Sequence, residues 1–189
     1  MCWRRIQIYL QRRIREYIRT DITADEYLFM IACKTGALIR AGLEIGALLG
    51  TDDPATVKAF AKFGEHLGQA FQIRDDYLGI WGDQATLGKA TGNDIRRRKK
   101  SYPVVFALER ASGRAMVDLL RIYDQEELQE DDVQRVLAVL NEVGAQENAQ
   151  RLTEVAAAQA LEALKPVYLP DWAQTEAEEL VDFLARREY

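Results

Sequence analysis

Three side chains in one stretch of the chain could do chemistry together, those of Gln72, Asp75 and Asp76, and Gly79 falls on the same face. Their spacings of three, four and seven place them on one broad face of any helix that carries them. That face is polar in an otherwise apolar segment. Adjacent carboxylates on a mostly apolar helix are costly to bury unless a cation neutralises them. A hard divalent cation suits one or two protein carboxylates, because it completes its shell with water and phosphate oxygens. Directly downstream, Gly88-Lys89, Gly92, Asp94 and the run Arg96-Arg97-Arg98-Lys99-Lys100 put glycine turns and positive charge beside the acids. Acid and base next to a glycine loop fit a metal–diphosphate complex better than a bare ion of either sign. The plainer reading is a solvated acidic pair beside an exposed basic loop. Asp52-Asp53 and Asp131-Asp132 are read that way, as surface acids or helix N-caps. Spacing alone leaves both readings open.

The elements that must position these residues are helical. Thr23-Ala24-Asp25-Glu26 has the form of a capping box, and the sequence from Ala24 to about Leu49 is apolar-periodic and free of proline until Gly50. Asp53-Pro54 reads as an N-cap followed by proline at the first helical position, opening a helix that runs to about Gly82. A polar, glycine-punctuated loop from Asp83 to about Tyr102 follows, and Pro103 opens a helix from Val104 to about Arg110. Asp131 and Asp132 start a helix carrying Val133, Val136, Leu137 and Leu140. An alanine-rich helix spans about Ala145 to Leu164, and Pro170-Asp171 introduces a last one through about Arg187. No segment alternates with period two, so the expected fold class is all-α. Met30, Phe29, Phe60, Phe63 and Phe71 fall at helical spacings and are read as core, and His66 as a packed or surface histidine.

Composition narrows the function. The 189 residues are 48% hydrophobic, enough for a core, and carry a net charge of -5, so nucleic acid is not an expected partner. No apolar run reaches the roughly 18 residues of a membrane span. Two cysteines, Cys2 and Cys33, make no disulfide framework, and one histidine allows no His-based metal cluster. A soluble, cytoplasmic chain without stable membrane insertion is expected. Residues 1–20 hold six arginines against Glu16. Trp3, Ile6, Leu10, Ile14 and Tyr17 form an apolar stripe among them, read as a basic helical leader that packs into the bundle or lies on an anionic surface.

The string Phe71-Gln72-Ile-Arg-Asp75-Asp76-Tyr-Leu-Gly79-Ile-Trp-Gly82-Asp83, then Gly88-Lys89, then Gly92-Asn-Asp94-Ile-Arg-Arg-Arg-Lys99-Lys-Ser101-Tyr-Pro103, resembles the second aspartate-rich region of trans-isoprenyl diphosphate synthases, the polyprenyl synthetases. Upstream, Tyr27 to Leu38 looks like that family's Lys-Thr helix, and the resemblance extends over residues 21–189. It implies an isoprenoid-synthase-type helical bundle, incomplete at its N-terminus, and a prenyltransferase reaction. Mg²⁺ held by aspartates clamps an allylic diphosphate, whose departure leaves an allylic cation for attack by isopentenyl diphosphate. Carried over residue by residue, Asp75 is the metal ligand, and Asp76 a ligand or a partner acting through water. Gln72 hydrogen-bonds beside them. Lys34, Lys89 and Lys99 bind diphosphate oxygens, and Thr35 opposes the positive charge on carbon. The family also implies a homo- or hetero-oligomer.

Two departures stand out. Gly79 occupies a place where the family more often has a third aspartate. Glycine inside a helix costs about 1 kcal/mol relative to alanine, so it is not there for helix stability. Nothing before Lys34 resembles the family's first aspartate-rich region or its isopentenyl diphosphate site. The chain therefore looks like the C-terminal part of a synthase, acting either with a partner that supplies the rest or as a non-catalytic subunit that binds one.

Overall fold

Residues 21–82 and 91–186 are described by the computed structural model. The basic leader, Lys89 with its neighbours, and 187–189 lie outside the described residues. The first helix, α1 (Ala24–Ile31), starts from the expected capping box. Thr23 Oγ1 accepts the Glu26 N–H at 3.1 Å, and Glu26 Oε2 accepts the Thr23 N–H at 3.2 Å. The helical path continues to Gly50, but not as one α-helix. A π-helical turn, Ala32–Gly36, separates α1 from α2 (Ala37–Gly50) and carries both Lys34 and Thr35. Such single π turns inside α-helices are frequent at functional sites.

The long helix α3 (Pro54–Trp81) forms the axis of the molecule. Asp53 caps it, accepting the N–H groups of Ala55 and Thr56 at 3.1 and 3.0 Å, and Gly82 ends it with its N–H on the Leu78 carbonyl. After residues 83–90 come a short α4 (Asn93–Arg96), lying inside the stretch expected to be a loop, α5 (Tyr102–Arg110), α6 (Gly113–Asp124), α7 (Glu130–Glu142), α8 (Ala145–Leu164) and α9 (Asp171–Arg186). There is no strand among the described residues, and the chain is all-α as expected. The sequence does not announce α6. Ser112 precedes it without a side-chain cap, and Gly113 opens it at φ 56°, so the usual start signal is missing. Asp131-Asp132 is not the N-cap of α7. Gln129 is the cap, and Asp132 is the buried third residue whose carboxylate accepts the Gln129 N–H at 3.2 Å.

Apolar packing divides into two clusters along α3. Near its start, Ala59, Phe63, Leu67 and Ala70 meet Ala156, Ala157, Ala160 and Leu164 of α8 and Val181 of α9. Near its end, Ile73 and Ile80 pack with Tyr27 and Ile31 of α1, with Tyr102, Val104 and Val105 of α5, and with residues of α6 and α7. The large apolar side chains fully buried there contribute roughly 1.5–3 kcal/mol each. Phe63 is core as expected, whereas Met30, Phe60, Phe71 and His66 are only partly buried. Phe29 departs from the expectation: it is 65% exposed, because Tyr27 and Ile31 turn the inward face of α1 away from it. The helix α2 buries no residue and leaves Leu38, Ile45, Leu48 and Leu49 exposed. Among the described residues, no helix is long and apolar enough to cross a membrane.

Candidate functional site

The site forms where the last turns of α3 meet the π turn and the segment between α4 and α5. Asp76 is completely buried, and its neighbours supply the cationic and hydrogen-bonding company that a buried carboxylate requires. Its Oδ2 accepts a short hydrogen bond from the Tyr27 hydroxyl and the Tyr102 N–H at 2.9 Å. Its Oδ1 lies 3.0 Å from Lys99 Nζ and 3.4 Å from Gln72 Nε2. Burial raises the Asp76 carboxyl pKa, and Lys99 with the hydrogen-bond donors opposes that rise. Burial and the facing Asp76 keep the Tyr27 phenol well above its ordinary range, so it remains a proton donor.

Asp75, one residue earlier, reaches the same two groups from a half-exposed position. Its side chain is 49% exposed, with Oδ2 3.8 Å from Lys99 Nζ and 3.4 Å from Gln72 Nε2. Gln72 also accepts the Thr35 hydroxyl at 2.7 Å, tying the π turn to α3. The predicted residues Thr35, Gln72, Asp75, Asp76 and Lys99 are thus one connected group. Lys34 is exposed on the same π turn. Lys89 lies outside the described residues.

The basic run does not act as a uniform patch. Arg96 pairs with Glu130 at 2.7 Å and donates to the Thr91 carbonyl, while Arg98 donates to the Gln125 carbonyl. Arg98 takes a left-handed backbone, φ 52°. Together with the Lys99 N–H bonded to the Asp94 carbonyl at 2.9 Å, this turn sends the Lys99 side chain back toward α3. Burial pulls the Lys99 pKa down, but Asp76 and Asp94 more than offset it and hold the ammonium positive.

Three contributors were not singled out by spacing: Tyr27, the Tyr102 N–H and the carboxylate of Asp94. Tyr27 sits seven residues before Lys34, one helical face repeat, which is the sequence signal for it. Asp94 is the sole acid between Thr91 and Ser101. It is buried, with Oδ2 2.9 Å from Lys99 Nζ. Gly79 explains how it fits: a Cβ at that position would stand 2.4 Å from Asp94 Oδ2. The glycine makes room for a carboxylate arriving from the next segment.

Among the described residues, no three His, Cys, Asp or Glu side chains are placed to hold a metal by themselves. That excludes an all-protein cage there but fits Mg²⁺, which takes one or two carboxylates and leaves the rest of its shell to water and phosphate. Asp75 is the half-exposed carboxylate of the group, Lys99 is a cation beside it, and Lys34 is an exposed cation on the π turn.

Known proteins share this frame. The polyprenyl synthetase family model matches residues 7–140. A geranylgeranyl diphosphate synthase of Mycobacterium tuberculosis is 42% identical over 135 residues, 71% of this chain and 38% of its own length. The crystal structure of geranylgeranyl pyrophosphate synthetase from Pyrococcus horikoshii superposes with a TM-score of 0.87 at 31% identity, over 95% of this chain and 54% of that one. A polyprenyl synthase from Caulobacter crescentus, crystallised with calcium and isoprenyl diphosphate, gives 0.81 at 32% identity, over 90% and 52%. The chain therefore spans about half the length of these solved structures, and less of the Mycobacterium tuberculosis synthase. With most of the chain matched by the family model and the helical frame shared with its solved members, this protein belongs to the polyprenyl synthetase family.

Proposed function

We propose that the chain provides the diphosphate-holding half of a trans-prenyltransferase that condenses an allylic diphosphate with isopentenyl diphosphate. The observation that carries this reading is the division of labour between Asp75 and Asp76. One carboxylate is half exposed beside two part-exposed polar groups, Gln72 and Lys99, while its neighbour is buried and binds those same groups from behind. Such a pair supports an outward-facing ligand on a rigid base. Asp75 would hold Mg²⁺, and Asp76 would orient Lys99 and Gln72. Lys34, Lys89 and Lys99 would bind diphosphate oxygens. Thr35, whose proton is committed to Gln72, would present its oxygen lone pairs to a developing allylic cation. Magnesium would supply charge neutralisation of the departing diphosphate. Calcium with isoprenyl diphosphate in the Caulobacter crescentus relative supports a hard divalent cation in this role.

The test is thermal unfolding of the purified chain with MgCl₂, with an allylic diphosphate, and with both. The expected result is a rise in Tm with both together that neither gives alone. Absence of any ligand-dependent shift would overturn the reading.

A second reading concerns a partner and rests on α2. Its exposed Leu38, Ile45, Leu48 and Leu49 form an apolar surface that a monomeric protein does not ordinarily leave open. The relatives carry roughly another half of chain, and a polypeptide segment of that kind would cover this face in a homo- or hetero-oligomer or within one longer chain. Sedimentation of the purified chain, and of an Ile45→Glu variant, tests it. The variant should reduce association if α2 is the contact.

A further inference from the structure

Lys99 stands at the centre of three carboxylates. Its Nζ lies 3.0 Å from Asp76 Oδ1, 2.9 Å from Asp94 Oδ2 and 3.8 Å from Asp75 Oδ2. The arrangement is built rather than incidental. Asp76 and Asp94 are buried, Arg98 adopts a left-handed backbone to aim the lysine, and Gly79 gives up its side chain so that Asp94 can close the third side. Three acids this close repel one another strongly unless a cation sits among them. An ammonium is a compact point charge with three donors, which suits three separate oxygens better than a planar guanidinium would.

A dication approaching Asp75 therefore meets a cluster whose negative charge is already partly offset, and it meets the ammonium itself within about 4 Å. A diphosphate changes that situation, because it offers Lys99 another anion to pair with. We infer that Lys99 is the built-in counter-cation of the carboxylate cluster, keeping a divalent ion weakly bound on its own and releasing Asp75 to it when a diphosphate arrives. The inference rests on the metal–diphosphate reading above and adds an order to it: metal and diphosphate bind cooperatively, and Lys99 is the source of the coupling.

The experiment uses the full chain and measures Mn²⁺ binding by the loss of its free-ion electron paramagnetic resonance signal. Wild type is compared with Lys99→Met and Lys99→Gln, each checked for helicity by circular dichroism so that one folded variant suffices. Without diphosphate, neutralising Lys99 should tighten Mn²⁺ binding on the order of tenfold or more, within the usual range of site-to-site coupling. With inorganic pyrophosphate, and after correction for the Mn²⁺–pyrophosphate complex measured without protein, wild type should show cooperativity that the variants lack. Unchanged or weaker Mn²⁺ binding in the folded variants would overturn the counter-cation role, even where pyrophosphate still binds and the proposed function stands. Tighter Mn²⁺ binding with no response to pyrophosphate in any protein would uphold the role of Lys99 and overturn the diphosphate reading instead. No Mn²⁺ binding to any of the proteins would overturn both.

Discussion

The two ends of α3 hold their neighbours by different means beyond shared apolar packing. Toward its start, close contact comes from missing side chains. A Cβ on Gly64 would lie 2.7 Å from Arg40 Cα, and one on Gly68 would lie 2.6 Å from Gly36 Cα, so α2 and the π turn rest almost backbone to backbone on α3. The adjoining contacts with α8 are built mainly from alanines. Toward its end, α3 adds to the apolar packing of Ile73 and Ile80 a polar hub, Asp76, which binds Tyr27 of α1, the Tyr102 N–H of α5, and Lys99 between α4 and α5. The dry end is fixed by shape. The polar end adds charge to its apolar packing, and it is the end where a charged ligand could compete for the same partners. Gly79 belongs to both styles, since its missing side chain admits the Asp94 carboxylate.

The sharpest break of this contrast is Asp76→Ala. It strands the Tyr27 hydroxyl, the Tyr102 N–H and part of the Lys99 pairing, and should cost about 3–5 kcal/mol. Denaturant unfolding checks the magnitude. Hydrogen exchange should show α1 and α5 losing protection while the first half of α3 and α8 retain theirs. Uniform loss along α3 would show that the two ends are not separable.

Gly68→Ala tests the dry end. Backbone atoms cannot move aside as a side-chain tip can, so the π turn and α3 must separate, at a cost of about 1–3 kcal/mol. The spacing of Thr35 from Gln72 should suffer with it, which would weaken diphosphate-dependent stabilisation. Asp75→Ala should do the reverse. Stability should change by less than about 1 kcal/mol, because the side chain is half exposed and its pairing with Lys99 is screened. The thermal response to Mg²⁺ with an allylic diphosphate should nevertheless vanish.

The smallest effect is a pH dependence at the start of α3. Thr56 and Ala55 hold the Asp53 carboxyl below its ordinary pKa of 3.8. A depressed carboxyl pKa contributes stability above the unfolded value, and that contribution disappears as pH falls through the folded one. Asn also caps helices but does not titrate. The stability difference between wild type and Asp53→Asn should therefore be flat above about pH 5 and should shrink or reverse below it.

Much of the helical frame was legible because its signals are local. Thr23 with Glu26, and Asp53 with Pro54, start helices through contacts within four residues, and the structure retains both. The start of α7 misled because Asp131-Asp132 offers two acids where Gln129 takes the cap, a choice made by the burial of Asp132. The start of α6 has no cap to read. The spacing of Gln72, Asp75 and Asp76 located the face, but could not assign Asp76 to the interior and Asp75 to the surface. Neighbours on a helix differ by about 100° in direction, and only the arrival of α1 and α5 makes one of those directions the inside.

The sequence by itself therefore determined most of the helices and their ends, α4 and α6 excepted, and the short list of charged residues that the family resemblance gathers. It could do so because capping, periodicity and proline or glycine punctuation act over a single turn. Tertiary structure alone decided that the path through Lys34 and Thr35 widens into a π turn, that the basic run divides among separate partners, and that Gly79 yields its space to Asp94. Each of those outcomes depends on residues tens of positions apart meeting at a few ångströms, where exclusion of water and the demand for neutral charge select one arrangement.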